Sequence, residues 1–153
     1  MSKAFVVKRK IKDDILTIEY MGNVNFPLNV IVASEENIDN KTMMDVSLYM
    51  MAYFFELYSD EEEFYRAEKA EEIKFAARSM VPVGMFDLEN PSAKLLLNGI
   101  VKSVNPVDDV RYTHEVITET IDGLEVSLLI TADEAPKEGS CITAGGVMFA
   151  CIE

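Results

Sequence analysis

The sequence predicts an α+β protein: N-terminal β-strands and two helices packed with a C-terminal five-stranded antiparallel β-barrel. Three observations lead there. β-forming residues alternate or cluster at both ends of the chain, and the apolar period becomes helical from residue 42 to about residue 78. Between the two regimes lies SMVPVGMFDLENP, whose two prolines and one glycine mark a connector. It divides the chain into an N-terminal α+β lobe, residues 1–92, and a C-terminal β lobe, residues 93–153. No internal repeat is apparent.

Composition sets the frame. A chain of 153 residues, 49% hydrophobic and 27% charged, buries roughly two thirds of its unfolded surface and needs no staple to fold. Its formal net charge of −13 opposes binding to phosphate backbones, which are held by lysine and arginine. The one basic patch is KRKIK. Residues 1–12 carry five basic groups (Lys3, Lys8, Arg9, Lys10, Lys12) and no acid, so the remainder carries −18. On a strand, Lys8, Lys10 and Lys12 share one face while Phe5, Val7, Arg9 and Ile11 share the other. That basic face either guards against edge-to-edge pairing or meets an acidic partner such as a second copy of the chain. The longest apolar run, Leu48–Phe55, has eight residues against the ~20 needed to span a bilayer. No signal segment is visible, so a cytoplasmic, bacterial location without membrane contact is expected.

Taken in order, AFVVKRKI and DILTIEYM form a hairpin turning at Lys12-Asp13; GNVNFP breaks the second strand and LNVIVAS supplies a third. TMMDVSLYMMAYFFELY then reads as a helix, opened by Thr42 and Asp45 at capping-box spacing and apolar nearly all round. Such a helix is either the central core helix or an oligomer interface. Met43, Met50, Met51 and Phe54 are its candidate interface residues, since methionine and aromatic side chains suit interfaces as well as cores. SDEEEFYRAEKAEE forms the second helix, with Ser59 and Glu62 as a capping box and Asp60–Glu62 as anions at its N-terminus. Glu62–Arg66 and Glu71–Lys74 are helix-spaced ion pairs, and the helix ends near Arg78. The acidic run lacks the alternating ligands and glycine of a calcium loop, so no metal is assigned to it.

From Lys94 onward every signal is β. KLLLNGIVKSV reads as one long strand in which Gly99 permits a bend, because a turn at Asn98-Gly99 would leave Leu95–Leu97 as a stub. NPVDD turns the chain into VRYTHEVITETI, Asp122-Gly123 makes a type I′ hairpin, and LEVSLLIT follows. A two-residue loop sets Ile121 opposite Leu124 and Glu119 opposite Val126, leaving His114, Thr118 and Thr131 on a hydroxyl-rich wet face. SCITA, a turn at Gly145-Gly146 and VMFACI complete five strands. A two-residue loop at Gly145-Gly146 puts Cys141 and Cys151 on opposite faces, and a three-residue loop at Gly145–Val147 sets them opposite each other. One extended strand instead holds them roughly 33 Å apart at about 3.3 Å per residue, too far to bond.

This order of strands over residues 94–152 resembles the OB-fold, a partly open Greek-key barrel whose long first strand is bent. It departs from that plan in having only ADEAPKE where many OB-folds place a helix. The resemblance implies a ligand face on the second and third strands. It does not name the ligand.

No motif specifies a reaction. His114 is the one histidine; with Cys141 and Cys151 it makes three zinc-type ligands without a C-x-x-C, and Gly145-Gly146 has no following lysine to cradle phosphate. No catalytic residue, metal or cofactor is assigned. The expected function is a non-enzymatic interaction protein acting through protein contacts as a homodimer, with Tyr112, His114, Thr118 and Thr131 as the candidate binding face. A single-stranded nucleic-acid or oligosaccharide-binding module using the same face is the alternative, and an enzyme with an unrecognised site is the third reading. Nucleic acid is disfavoured, because the C-terminal lobe carries −6 and only Tyr112 and Phe149 as stacking platforms.

Overall fold

TMMDVSLYMMAYFFELY, expected as a helix, is the longest strand of the molecule. In the computed structural model, which describes residues 3–11, 14–32, 43–68 and 76–152, β4 runs Met43–Tyr58. Val46, Leu48 and Met50 are buried, and the intervening Ser47, Tyr49 and Met51 are half-buried. A strand partly covered on both faces keeps apolar side chains on both, which erases the two-residue alternation by which a strand is recognised. The α+β class with two helices therefore gives way to a mostly β protein. The one α-helix among the described residues is α1 (Glu61–Glu68).

The other strands are β1 (Lys3–Lys10), β2 (Ile15–Tyr20), β3 (Phe26–Val32), β5 (Ser79–Val81), β6 (Lys94–Pro106), β7 (His114–Glu119), β8 (Glu125–Ile130) and β9 (Cys141–Ile152). They form one sheet in the order β1-β2-β3-β9-β4-β8-β7-β6-β5, with β1 also pairing β4 and β9 also pairing β6. Those two extra pairings close two five-stranded rings. One is β1-β2-β3-β9-β4; the other is β4-β8-β7-β6-β9; β4 and β9 belong to both. A single apolar core runs through them, from Phe5, Ile18 and Leu28 to Val116, Val126 and Leu128.

The C-terminal barrel is thus closed, but not by five consecutive strands. Residues 94–152 supply four, and β4 is the fifth. Gly145-Gly146 makes no turn, because β9 passes straight through it. A Cβ at Gly146 would lie 2.1 Å from the Met51 carbonyl oxygen, so the glycine serves close backbone approach rather than reversal. β6 does run unbroken through Asn98-Gly99. A Cβ on Gly99 would meet Thr118 Cγ2 at 2.3 Å and the Glu119 carbonyl oxygen at 2.7 Å, so here too glycine admits a neighbour. The β7–β8 turn spans three residues, Ile121–Gly123, rather than two, with Asp122 at φ 57° and Gly123 at φ 71°. Glu119 consequently pairs Glu125 rather than Val126. This one-residue slip turns Thr118 into the core.

α1 lies over the far end of the shared ribbon. Phe64 is buried against Tyr58, Ala77, Ile100 and Cys141. Its cap sits one residue later than the sequence suggests: Asp60 Oδ1 accepts the Glu63 amide (2.8 Å) and Glu63 accepts the Ser59 amide (3.0 Å). The Glu62–Arg66 pair forms at 3.0 Å; Glu71 and Lys74 lie outside the described residues. Arg78, beyond the helix, pairs with both Glu61 and Glu119.

The pairing scheme contains a repeat that the sequence does not announce. β1-β2-β3-β4 and β6-β7-β8-β9 are equivalent units: each is a three-stranded meander followed by a long strand that pairs antiparallel to the first strand of its own unit. Each long strand also pairs in parallel with the third strand of the other unit. The registers correspond residue by residue. Lys3↔Val46 in one unit is Leu97↔Ala144 in the other, and Ile31↔Phe149 becomes Leu129↔Met51. Both first strands carry a bulge at a lysine, Lys8 between Val7 and Arg9 and Lys102 between Val101 and Ser103. Each lysine pairs with the equivalent glutamate, Lys8–Glu19 at 2.9 Å and Lys102–Glu119 at 3.5 Å. The two units also touch through their equivalent turns. Asp122 accepts hydrogen bonds from the Tyr20 hydroxyl (2.9 Å), the Asn23 amide (2.9 Å) and Asn23 Nδ2 (3.0 Å).

Candidate functional site

Where β8 ends, β4 continues. The parallel β4–β8 pairing stops at Met51↔Leu129, and from there to Leu57 β4 has a strand partner on its β9 edge only, among the described residues. A bulge at Tyr53, between Ala52 and Phe54, shifts the register as β4 leaves the barrel wall. The gap is a cleft of about 530 Å³ lined by Ala52, Tyr53, Phe54, Phe55, Arg111, Tyr112 and Thr131.

Its two walls are built differently. On the β4 side Tyr53 is 69% exposed, Phe54 51% and Leu57 41%, a concentration of apolar surface on one short segment. Phe54 lies over Gly145, where a Cβ would come within 2.4 Å of the ring. The opposite wall is the loop between β6 and β7, tied to the end of β8. Thr131 Oγ1 donates to the Arg111 carbonyl (2.6 Å), and the Ala132 amide donates to Thr113 Oγ1 (2.9 Å). Asp109 accepts both the Arg111 amide (2.7 Å) and Arg111 Nε (3.4 Å), which holds its carboxyl below the usual carboxylate range. The guanidinium also sits 5.5 Å from the centre of the Tyr112 ring.

The sequence proposed a binding face and, separately, an interface; part of each meets in this cleft. Tyr112 and Thr131 come from the first, Phe54 from the second. His114 lies beside it, half-buried, with Nδ1 2.7 Å from Thr113 Oγ1. Thr118 is fully buried and Met50 is in the core, so neither reaches a partner. Met51 is half-buried; the side chain of Met43 lies outside the described residues. Tyr53, Phe55 and Arg111 were missed. Had YFFEL been read as a strand, adjacent Phe54 and Phe55 would have had to face opposite sides, which puts one ring toward solvent.

Other chemistry-bearing groups lie apart from the cleft. Burial, with Glu61 nearby, pushes the Cys141 thiol up to about 11, so it is not a thiolate at neutral pH; Cys151 is exposed. Among the described residues no three His, Cys, Asp or Glu side chains are grouped to hold a metal ion, and no helix is long and apolar enough to cross a membrane. Comparisons with protein-family models, with curated proteins and with solved structures each find no match.

Proposed function

We propose that this is a non-enzymatic interaction protein that works through protein contacts, with the cleft between β4 and β8 as its contact site. One observation carries the reading: Tyr53, Phe54 and Leu57 expose large apolar surface on a strand segment that lacks a strand partner along one edge among the described residues. Exposed aromatic side chains in such a place favour burial by another chain.

The convergence of Tyr53, Phe54 and Tyr112 beside Arg111 also favours a second reading, an oligosaccharide stacked on the rings. Among ring-stacking ligands a neutral sugar suits a chain of net charge −13 better than a nucleic acid does. Affinity capture separates these readings. The immobilised protein is offered its own untagged copy and cell extract, and wild type is compared with Tyr53→Ser/Phe54→Ser. Loss of captured protein in the variant is expected. Identical capture would move the contact elsewhere, and retention of a glycan instead would favour the second reading.

A further inference from the structure

We infer that the occupant of the cleft is the same β4 segment from a second copy, paired antiparallel edge to edge about a two-fold axis through Phe55. This rests on the protein-contact reading of the cleft and adds the partner and the register. A free strand edge offers a row of backbone donors and acceptors that another strand satisfies best. The open stretch Tyr53–Leu57 is nearly uncharged, with Glu56 its one ionisable acid. Two strongly acidic chains can approach there more readily than over their acidic surfaces.

Charge also selects the register. An axis at Glu56 would set like charges directly opposite each other, which is destabilising. An axis at Phe55 sets Glu56 against Phe54 and Tyr53 against Leu57, and buries the three exposed apolar side chains of each copy. The fold already contains this arrangement once, since β4 and β9 are equivalent strands of two equivalent units and pair antiparallel across the molecule. A symmetric dimer through β4 repeats that pairing on the strand's other edge.

The contact is short, so the dimer falls in the small-interface class below about 1,200 Å² and its dissociation constant is expected near the micromolar range. Equilibrium sedimentation of the intact protein tests this, with disulfide trapping in a Cys151→Ser background to read the register. A concentration-dependent dimer is expected. It should strengthen as salt screens the mutual repulsion of the two chains, and Tyr53→Ser/Phe54→Ser should weaken it about tenfold or more. Phe55→Cys should cross-link between copies and Tyr53→Cys alone should not, because its own equivalent lies roughly 13 Å along the paired strand. Should Phe55→Cys fail to fold, Tyr53→Cys/Leu57→Cys alters only exposed positions and should cross-link instead. A monomer at all concentrations, or cross-linking through Tyr53→Cys alone, overturns the inference. Extract capture that persists and still requires Tyr53 and Phe54 would then leave the protein-contact reading standing with a different partner.

Discussion

In the first unit of the chain Phe5, Tyr20 and Phe26 form a run of packed rings, with centroids 5.4 and 5.2 Å apart. The equivalent positions in the second unit hold Gly99, Thr120 and Leu124. The strand pairings are nonetheless the same, down to the bulge at Lys8 and Lys102. What the units share is the inward-outward alternation: Val7 and Val101, Leu16 and Val116, and Leu28 and Val126 are all buried. Strand pairing with the correct face inward specifies this architecture, and the identity of the filling side chains adjusts to it. The units differ outside the barrel. α1 and β5 lie alongside the second ring, and among the described residues β4, not β9, extends past the end of its parallel pairing as an open aromatic edge.

Four measurements probe this comparison, from the largest expected effect to the smallest. Met50 and Met148 occupy equivalent positions on the two shared strands, and both are fully buried. Met50→Ala and Met148→Ala should each cost roughly 2–5 kcal/mol in urea unfolding. Values within about 1 kcal/mol of each other would support the equivalence, and a large disparity would argue that the units pack independently. Gly99→Ala should cost roughly 1–3 kcal/mol, because its Cβ has nowhere to go but into Thr118 and the Glu119 backbone. Pairing it with Thr118→Ser, which removes the clashing methyl, should recover part of that loss.

The contact between the equivalent turns is expected to be acid-labile. Hydrogen bonds from Asn23 and Tyr20 hold the Asp122 carboxyl below the ordinary aspartate range in the folded protein. A carboxylate depressed in this way stabilises the fold above its unfolded value, about 3.9, and the contribution disappears as pH falls through the folded value. Thermal melting temperatures followed from pH 6 down to about pH 2 should therefore fall more steeply for wild type than for Asp122→Asn; parallel curves would show that the turns do not depend on the charge. The smallest effect belongs to the paired lysines. Lys8–Glu19 and Lys102–Glu119 are surface pairs, and Lys8→Ala and Lys102→Ala should each cost only about 0.2–1 kcal/mol. Glu119 also binds Arg78, so Lys102→Ala should be the milder of the two.

The parts of the fold legible in the chain were those set by neighbours in sequence. The hairpin of β1 and β2 showed in its alternation, the start of α1 in its acidic first turn, and β6 in the stub that any turn at Asn98-Gly99 would create. The cleft was half legible. Tyr112, Thr131 and Phe54 were singled out for separate reasons, but nothing local joins residues 54, 112 and 131. The register of the β7–β8 hairpin missed by one residue because the loop holds Ile121 as well as Asp122 and Gly123, so that Thr120 rather than Ile121 faces Leu124. That slip carried Thr118 from the surface to the core.

Residue types and local spacing alone determined that the chain is acidic, that it is strand-forming at both ends, and that a helix starts close to Ser59. Its end, read near Arg78, was not determined, since residues 76–78 are not helical and β5 begins at Ser79. Tertiary structure decided that Met43–Tyr58 is a strand, that β4 and β9 each serve two rings, and that the two units are equivalent. The reason is physical. A strand's hydrogen bonds are made to partners distant in sequence, so a segment covered on both faces and held between two other strands leaves no periodic trace of its own. Only when Gly145 and Gly146 of β9 are seen admitting Phe54 and the Met51–Ala52 backbone does the long apolar run become the ribbon that both barrels share.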